Sequence, residues 1–155
     1  MSDLRELYQT TILDHNKHPR NFGELPDANK KAHGDNPLCG DKITIFVDVD
    51  RDLVKAVRFH GSGCAISKAS ASMMTEQIEG KSLIEANELF LSFHEMVTSD
   101  PIQPVDTSDL GKLSVFAGVR EFPMRVKCAT LCWHTFQAAV NNQTETVKDR
   151  GIEKR

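Results

Sequence analysis

The hydrophobic residues recur at two different spacings along the chain, and each spacing predicts one kind of element. Apolar residues at alternate positions over 43–49 predict a strand with one buried face. An Asp-Arg-Asp turn at 50–52 leads into a second predicted strand, 53–60, so the two strands are expected to form an antiparallel hairpin. A short third strand is predicted near 31–33.

Elsewhere, apolar residues recur every three to four positions, which predicts helices that each bury one side. One of these helices begins after Ser82, which forms a capping box with Glu85. The predicted helices span 3–16, 65–79, 83–97, 110–119 and 124–142. The pattern predicts an α+β fold, with a small three-stranded antiparallel sheet and helices packed on one side. We expect residues 1–142 to form a single domain and residues 143–155 to form a polar C-terminal tail.

Composition and charge narrow the classes of protein that fit this pattern. The 155 residues are 39% hydrophobic and 26% charged, as in an ordinary globular domain. The formal net charge of −3, from 19 basic and 22 acidic residues, argues against a general nucleic-acid binder. The N-terminus lacks the basic and apolar regions of a signal peptide, and no apolar run approaches the roughly 20 residues that span a bilayer. The sequence therefore predicts a cytoplasmic protein without a nucleic-acid or membrane partner.

The cysteines are the candidates for chemistry, because thiols in the reducing cytoplasm serve as metal ligands more often than as disulfides. Cys39 and Asp41 lie in the turn sequence NPLCGD, where Gly40 leaves room for both side chains to approach one ion. Cys64 follows Gly-Ser-Gly and precedes a predicted helix, whose N-terminal N–H groups favour the thiolate. Cys128 lies in the first turns of the last helix, beside two basic residues that have the same effect.

Together these side chains offer three thiolates and one carboxylate, a ligand set that suits tetrahedral Zn²⁺. Thiolates suit the iron of a cluster equally well. The spacing differs from that of a zinc finger, because the sequence has no Cys-x-x-Cys pair and the ligands come from separate segments. Such a site depends on the whole fold, and its ligands exchange more easily than those of a closed four-cysteine site.

The remaining cysteine and the histidines have simpler explanations. Cys132 follows Cys128 by one helical turn but stands between Leu131 and Trp133, which favours a core position over a ligand. A thiol redox pair of Cys128 and Cys132 is a weaker alternative, because such pairs are typically spaced Cys-x-x-Cys at a helix N-terminus. A structural zinc-binding interaction protein, whose metal only supports the fold and whose surface binds a partner, is a further alternative. The six histidines are scattered, and scattered histidines are mostly solvated or capping residues.

Four segments of the sequence resemble those of one known family. They are LYQTTILDHNKHPRNFG, NPLCGD, GSGCAISKASASMMTE and FPMRVKCATLCWHTF, which occur in this order over about 4–139. The chain resembles the U-type iron–sulfur scaffold family, the IscU/NifU N-terminal type, and within it the SufU branch. The branch is indicated by Lys127, where the IscU branch has a histidine, and by an extra stretch over about 100–120.

The resemblance implies a SufE/IscU-like fold and two alternative functions. It identifies Cys39, Cys64 and Cys128 as the family cysteines, with Asp41 as the acidic residue beside them. As a zinc-dependent sulfur acceptor, the chain would take persulfide sulfur from a SufS-like cysteine desulfurase, which displaces one zinc ligand and frees the attacking thiolate. Cys39 is the expected acceptor, because its turn should be the most mobile of the ligand-bearing segments.

As a scaffold, the chain would instead bind iron or a transient [2Fe–2S] cluster on the same ligands and pass the cluster on. The sequence favours the sulfur acceptor, because Lys127 replaces the histidine and the extra stretch is present. That role is sulfurtransferase-like rather than that of a classical turnover enzyme. The implied recipients are apo iron–sulfur proteins or a downstream Suf scaffold.

Overall fold

The computed structural model describes residues 2–104, 107–142 and 147–148. The helices are α1 (Ser2–Lys17), α2 (Ala65–Ile78), α3 (Leu83–Thr98) and α4 (Pro123–Val140), and a 3₁₀ segment spans Gly111–Glu121. The strands are β1 (Lys30–Asn36), β2 (Asp41–Asp50), β3 (Leu53–Ser62) and β4 (Val147–Lys148). The three long strands are therefore contiguous in sequence, and most of the helical structure follows them.

The sheet is built on the antiparallel hairpin that the sequence predicted. β2 pairs with β3 on one side and with β1 on the other, so the three-stranded antiparallel sheet is confirmed. β1 is longer than the predicted 31–33, because its pairing continues to Asn36, which lies opposite Asp41. β4 adds two residues in parallel to the edge of β1, so the predicted polar tail contributes a fourth strand. Residues 143–146 and 149–155 of that tail lie outside the described part, and the division into one domain and a tail stays a prediction.

The helices cover one face of the sheet, as the pattern predicted. α4 crosses β1 and β2, while α2 lies between α1, α4 and β3. Small residues allow this central position of α2, since Ala69, Ser70 and Ala71 have no exposed surface and let the neighbouring backbones approach. Where α3 meets α4, the fully buried Trp133 stacks on Phe93 with ring centroids 4.7 Å apart. None of the helices within the described ranges has the length and hydropathy needed to cross a bilayer.

The segment predicted as a helix over 110–119 is a 3₁₀ helix. Its buried apolar residues include four that are spaced three apart, namely Leu110, Leu113, Phe116 and Val119. A 3₁₀ helix has three residues per turn, so this spacing places all four on one side, whereas an α-helix would spread them. Arg120 holds the end of the segment by donating to three backbone oxygens, two of them in the loop after α3.

Gly34 marks a close approach of the sheet to α4. A side chain at this position would overlap Thr135 Oγ1 and lie 3.1 Å from Leu131 Cδ1. We therefore expect Gly34→Ala to destabilise the protein by about 1–3 kcal/mol, the usual cost of overpacking a core, as measured by urea unfolding. Gly118→Ala is the matched control, because no atom lies within 4 Å of its added Cβ. Equal stability of the two variants would contradict the close contact.

Candidate metal centre

The turn between β1 and β2, residues 37–40, exposes Cys39 and directs Asp41 into the protein. The carbonyl oxygen of Asn36 accepts hydrogen bonds from the N–H groups of Cys39 (3.2 Å) and Gly40 (2.8 Å). Gly40 has a φ of +75°, a left-handed conformation that glycine adopts without strain, and this lets the chain return into β2. As a result, Cys39 is exposed at the turn, while Asp41, the first residue of β2, is fully buried.

The loop after β3 brings Cys64 to the same place. Cys64 is the N-cap of α2, where its sulfur accepts a hydrogen bond from the N–H of Ser67 at 3.4 Å. Its own N–H donates to Asp41 Oδ1 at 2.8 Å, so the carboxylate ties the sheet to the start of α2. Gly63 leaves the space that this carboxylate occupies, because a Cβ at that position would lie 2.6 Å from Asp41 Oδ1.

The last thiol comes from α4. Cys128 lies in the second turn of α4 and is buried, and its Sγ lies 3.4 Å from Cys39 Sγ. The candidate ligand atoms of Cys39, Asp41 and Cys128 all lie within 4.8 Å of one another. Cys64 stands beside this group of three, with its Sγ 3.8 Å from Asp41 Oδ2. The structure thus brings together all four residues that the sequence singled out.

The donor atoms and their spacing fit a metal ion. Two sulfurs bound to tetrahedral zinc at about 2.3 Å lie about 3.8 Å apart. The Cys39 and Cys128 sulfurs, 3.4 Å apart, are already close to that separation. Thiol ligands also select zinc or iron over magnesium and calcium, which prefer oxygen ligands. A zinc ion therefore suits these side chains both in chemistry and in spacing.

The clustered thiols change one another's acidity. A hydrogen bond from the Cys128 thiol, aided by the N–H of Ser67, lowers the pKa of Cys64 to about 7. The same hydrogen bond, together with burial, raises the pKa of Cys128. Of these two thiols, Cys64 therefore loses its proton more readily, while Cys128 keeps its proton.

Cys132 lies in the core, where the sequence placed it. It is fully buried, its Sγ lies 3.5 Å from Ser70 Oγ, and burial raises the pKa of its thiol to about 12. So weakly acidic a thiol carries almost no thiolate at neutral pH, which makes it a poor ligand and a poor nucleophile.

We expect Cys132→Ser to leave the metal content and the alkylation rates of the other three cysteines unchanged. The new hydroxyl is small enough for the site and lies beside Ser70 Oγ, a hydrogen-bond partner. Intact mass spectrometry after iodoacetamide treatment, with metal analysis of the same sample, checks this outcome. A redox pair of Cys128 and Cys132 would instead give the wild type a disulfide on mild oxidation that the variant cannot form.

The histidines do not join the thiol cluster. His15 is buried with its Nδ1 2.7 Å from Ser72 Oγ, and His33 Nδ1 lies 2.8 Å from a threonine hydroxyl of β2. His94 and His134, which are distant in sequence, are neighbours across α3 and α4 with ring centroids 5.6 Å apart. The candidate metal ligands found among the described residues include no histidine.

Two further residues build the site without having been recognised from the sequence. Asn36 organises the turn that carries Cys39, and Gly63 leaves room for the Asp41 carboxylate. Both lie in segments that were singled out for their cysteines, NPLCGD and GSGC, but neither residue was identified as part of the site. The motifs were the available signal, but the contacts of these residues depend on segments far apart in sequence.

The fold and the site define a class of protein: a small α+β domain whose separate segments present three thiols and one buried carboxylate to a metal ion. Comparison with known proteins identifies the family. Residues 7–129 match the model of the NifU-like N terminal domain family, and the chain belongs to this family.

Two relatives that are similar to the chain over most of its length carry names of different function. Zinc-dependent sulfurtransferase SufU of Bacillus subtilis is 41% identical over 139 residues, which are 90% of this chain and 92% of that protein. Iron–sulfur cluster assembly scaffold protein IscU of Streptococcus pyogenes serotype M1 is also 41% identical, over 90% of this chain and 86% of that protein.

A solved structure supports the same assignment. The crystal structure named for an iron–sulfur cluster assembly scaffold protein of the SUF system, from Fervidobacterium islandicum AW-1, has a TM-score of 0.79 at 37% identity, covering 87% of this chain and 97% of that chain. The family that the sequence motifs indicated is therefore confirmed, and with it iron–sulfur cluster assembly as the field of function.

Proposed function

We propose that the chain is a zinc-dependent sulfur acceptor of iron–sulfur cluster assembly, which works in the cytoplasm with a cysteine desulfurase of the SufS type. The observation that carries this proposal is the unequal exposure of the clustered ligands. Cys39 is exposed, whereas Asp41 and Cys128 are buried. An exposed thiol can react with the persulfide of a partner while the buried ligands remain in position. The name of the relative from Bacillus subtilis supports the same function.

The chemistry requires one nucleophilic thiolate. The Cys39 sulfur attacks the outer sulfur of the desulfurase persulfide, a new S–S bond forms, and the S–S bond of the donor breaks. The donor cysteine leaves as a thiolate and takes up a proton, and Cys39 now carries the persulfide. No outside oxidant or reductant is needed, because one persulfide replaces another.

The residues around Cys39 hold the site during this exchange. A bound zinc ion would supply Lewis acidity that keeps the ligand thiols deprotonated and protected before transfer. Asp41 is held by burial and by the N–H of Cys64, and Cys128 is held by burial in α4. Cys39, at the exposed turn, is the ligand most able to leave this arrangement and react.

Exposed apolar side chains near Cys39 and at the start of α4 suit a protein partner. Leu38, beside Cys39, is 65% exposed, and Phe122 and Met124 are 44% and 41% exposed. The Arg125 guanidinium lies 4.3 Å from the centre of the Phe122 ring. Aromatic residues, Met and Arg are enriched in protein interfaces, so this surface is where we expect the desulfurase to dock. Recipients of the sulfur are apo iron–sulfur proteins or a downstream Suf scaffold.

A second candidate function is a scaffold that assembles and transfers a transient [2Fe–2S] cluster. The relative from Streptococcus pyogenes, named a scaffold, is as similar to this chain as the sulfurtransferase is. Three thiolates and a carboxylate can also bind iron. Sequence identity therefore does not separate the two functions, and an experiment must.

Metal analysis and a desulfurase assay on one anaerobic preparation distinguish the sulfur acceptor from the scaffold. Zinc and iron per chain are measured first; a SufS-type desulfurase and cysteine are then added, and alanine release and the mass of the chain are followed. One zinc per chain, faster alanine release and a gain of one sulfur atom would support the sulfur acceptor. An iron-loaded chain that passes a cluster to apo-ferredoxin without accelerating the desulfurase would establish the scaffold instead.

A further inference from the structure

The side chain of Asn36 carries a buried hydrogen-bond donor that no described residue satisfies. Asn36 has no exposed surface, and its Nδ2 has no hydrogen-bond partner among the described residues. The orientation of the amide is fixed, because Oδ1 accepts the N–H of Leu38 at 3.2 Å and a nitrogen could not do so. A buried, unsatisfied donor is rare in a folded protein and requires an explanation.

The position of Asn36 places this donor beside the thiol cluster. Asn36 pairs with Asp41 across the ladder, so both side chains lie on the buried, helix-facing side of the sheet. Two residues before Asn36, Gly34 packs against α4 on that same side. Three residues after it, the sulfur of Cys39 contacts that of Cys128 in α4. In the chain, Asn36 thus stands between the residue that packs against α4 and the turn that carries Cys39.

We propose that Asn36 is a positioning residue of this site, whose Nδ2 donates a hydrogen bond to a ligand sulfur of the Cys39–Cys128 pair when metal is bound. This inference rests on the metal site of the proposed function. A thiolate bound to a metal is a stronger hydrogen-bond acceptor than a thiol, so a bound metal would make a ligand sulfur a suitable partner for this donor. The hydrogen bond fixes the direction of the sulfur and draws charge from it, as such partners do for metal ligands in general.

Two variants of Asn36 separate this donor from the role of the residue in the turn. Asn36→Thr keeps an oxygen that can accept the N–H of Leu38 but has no amide to reach the sulfurs. Asn36→Ala lacks both groups. Leu38→Ala is the matched control, because it changes a side chain of the same turn that is 65% exposed. Each chain is titrated with Zn²⁺ against a chelator and with Co²⁺, whose thiolate charge-transfer absorption reports on the sulfurs, and circular dichroism checks the fold.

We expect both Asn36 variants to bind zinc about 10- to 100-fold more weakly than the wild type, while Leu38→Ala binds it normally. The cobalt charge-transfer band should move to lower energy in both, because a sulfur without its N–H partner gives up electron density more readily. If Asn36→Thr has the zinc affinity and the cobalt absorption of the wild type, the proposal is overturned. The role of Asn36 would then be limited to the structure of the turn. If Asn36→Ala does not fold, Asn36→Thr decides by itself.

The same titrations separate this inference from the proposed function, since they use no desulfurase. A wild-type chain that binds neither zinc nor cobalt would reject the metal site, and this inference with it. A wild-type chain that binds metal with the expected dependence on Asn36, yet gains no sulfur from a desulfurase, would support this inference and reject the sulfur acceptor.

Discussion

Replacing Cys39 with alanine is expected to abolish sulfur uptake and to return alanine release to the rate of the desulfurase alone. Cys39 is exposed, whereas Cys128 is buried and Cys64 is half-buried at the N-cap of α2. The substitution leaves the hydrogen bond between Asp41 and the N–H of Cys64 intact, so the fold should change little. Alanine release and the intact mass of the chain, followed in one anaerobic mixture, measure the result.

Another cysteine of the chain provides the control for this experiment. Cys132→Ser removes a core thiol that contacts Ser70 and is not among the candidate ligands, so this variant should behave as the wild type does. The competing nucleophile is Cys64, because the hydrogen bond from Cys128 lowers its pKa to about 7. A persulfide mapped to Cys64 in wild-type peptides, or sulfur uptake that survives Cys39→Ala, would move the acceptor role to Cys64.

Asp41→Ala is expected to weaken zinc binding by more than the roughly 10- to 100-fold that loss of a ligand's hydrogen-bonding partner costs. The change removes a candidate ligand and also leaves the N–H of Cys64 without the acceptor that it has at 2.8 Å. Loss of that acceptor should lower the stability of the metal-free chain by about 1–3 kcal/mol. Chelator competition measures the affinity, and urea unfolding of the metal-free chain measures the stability.

Gly63→Ala tests the same carboxylate without removing it. Its Cβ would lie 2.6 Å from Asp41 Oδ1, so the carboxylate must move and zinc affinity should fall although every ligand remains. Gly118→Ala, whose Cβ meets no atom within 4 Å, should retain the wild-type affinity. Unchanged zinc affinity in Asp41→Ala would remove Asp41 from the ligand set. If the zinc site is only structural, Asp41→Ala and Gly63→Ala should unfold. If it serves sulfur transfer, both variants should stay folded and show altered sulfur uptake.

The features that the sequence determined are those set by neighbouring residues. Alternating apolar residues predicted the β2–β3 hairpin, and Ser82 and Glu85 form the predicted capping box at the start of α3. Turn-forming residues predicted that Cys39 lies just before a strand and Cys64 just before a helix, and the structure agrees. The three-residue spacing from Leu110 to Val119 was also present in the sequence, and it distinguishes a 3₁₀ helix from the α-helical period.

The tertiary structure alone decided how these local features meet. Cys39 and Cys128 are 89 positions apart, and their sulfurs come within 3.4 Å only because α4 packs across β1. The pairing of Asn36 with Asp41, the space that Gly63 leaves for the Asp41 carboxylate, and the unsatisfied donor of Asn36 are likewise tertiary contacts that the local pattern did not predict. Backbone preferences and capping act over about four residues, so they determine the turns and helix starts at which the candidate ligands lie. A sequence pattern can therefore identify those ligands. The distances between those ligands follow from how the core closes around side chains distant in sequence, which no local pattern specifies.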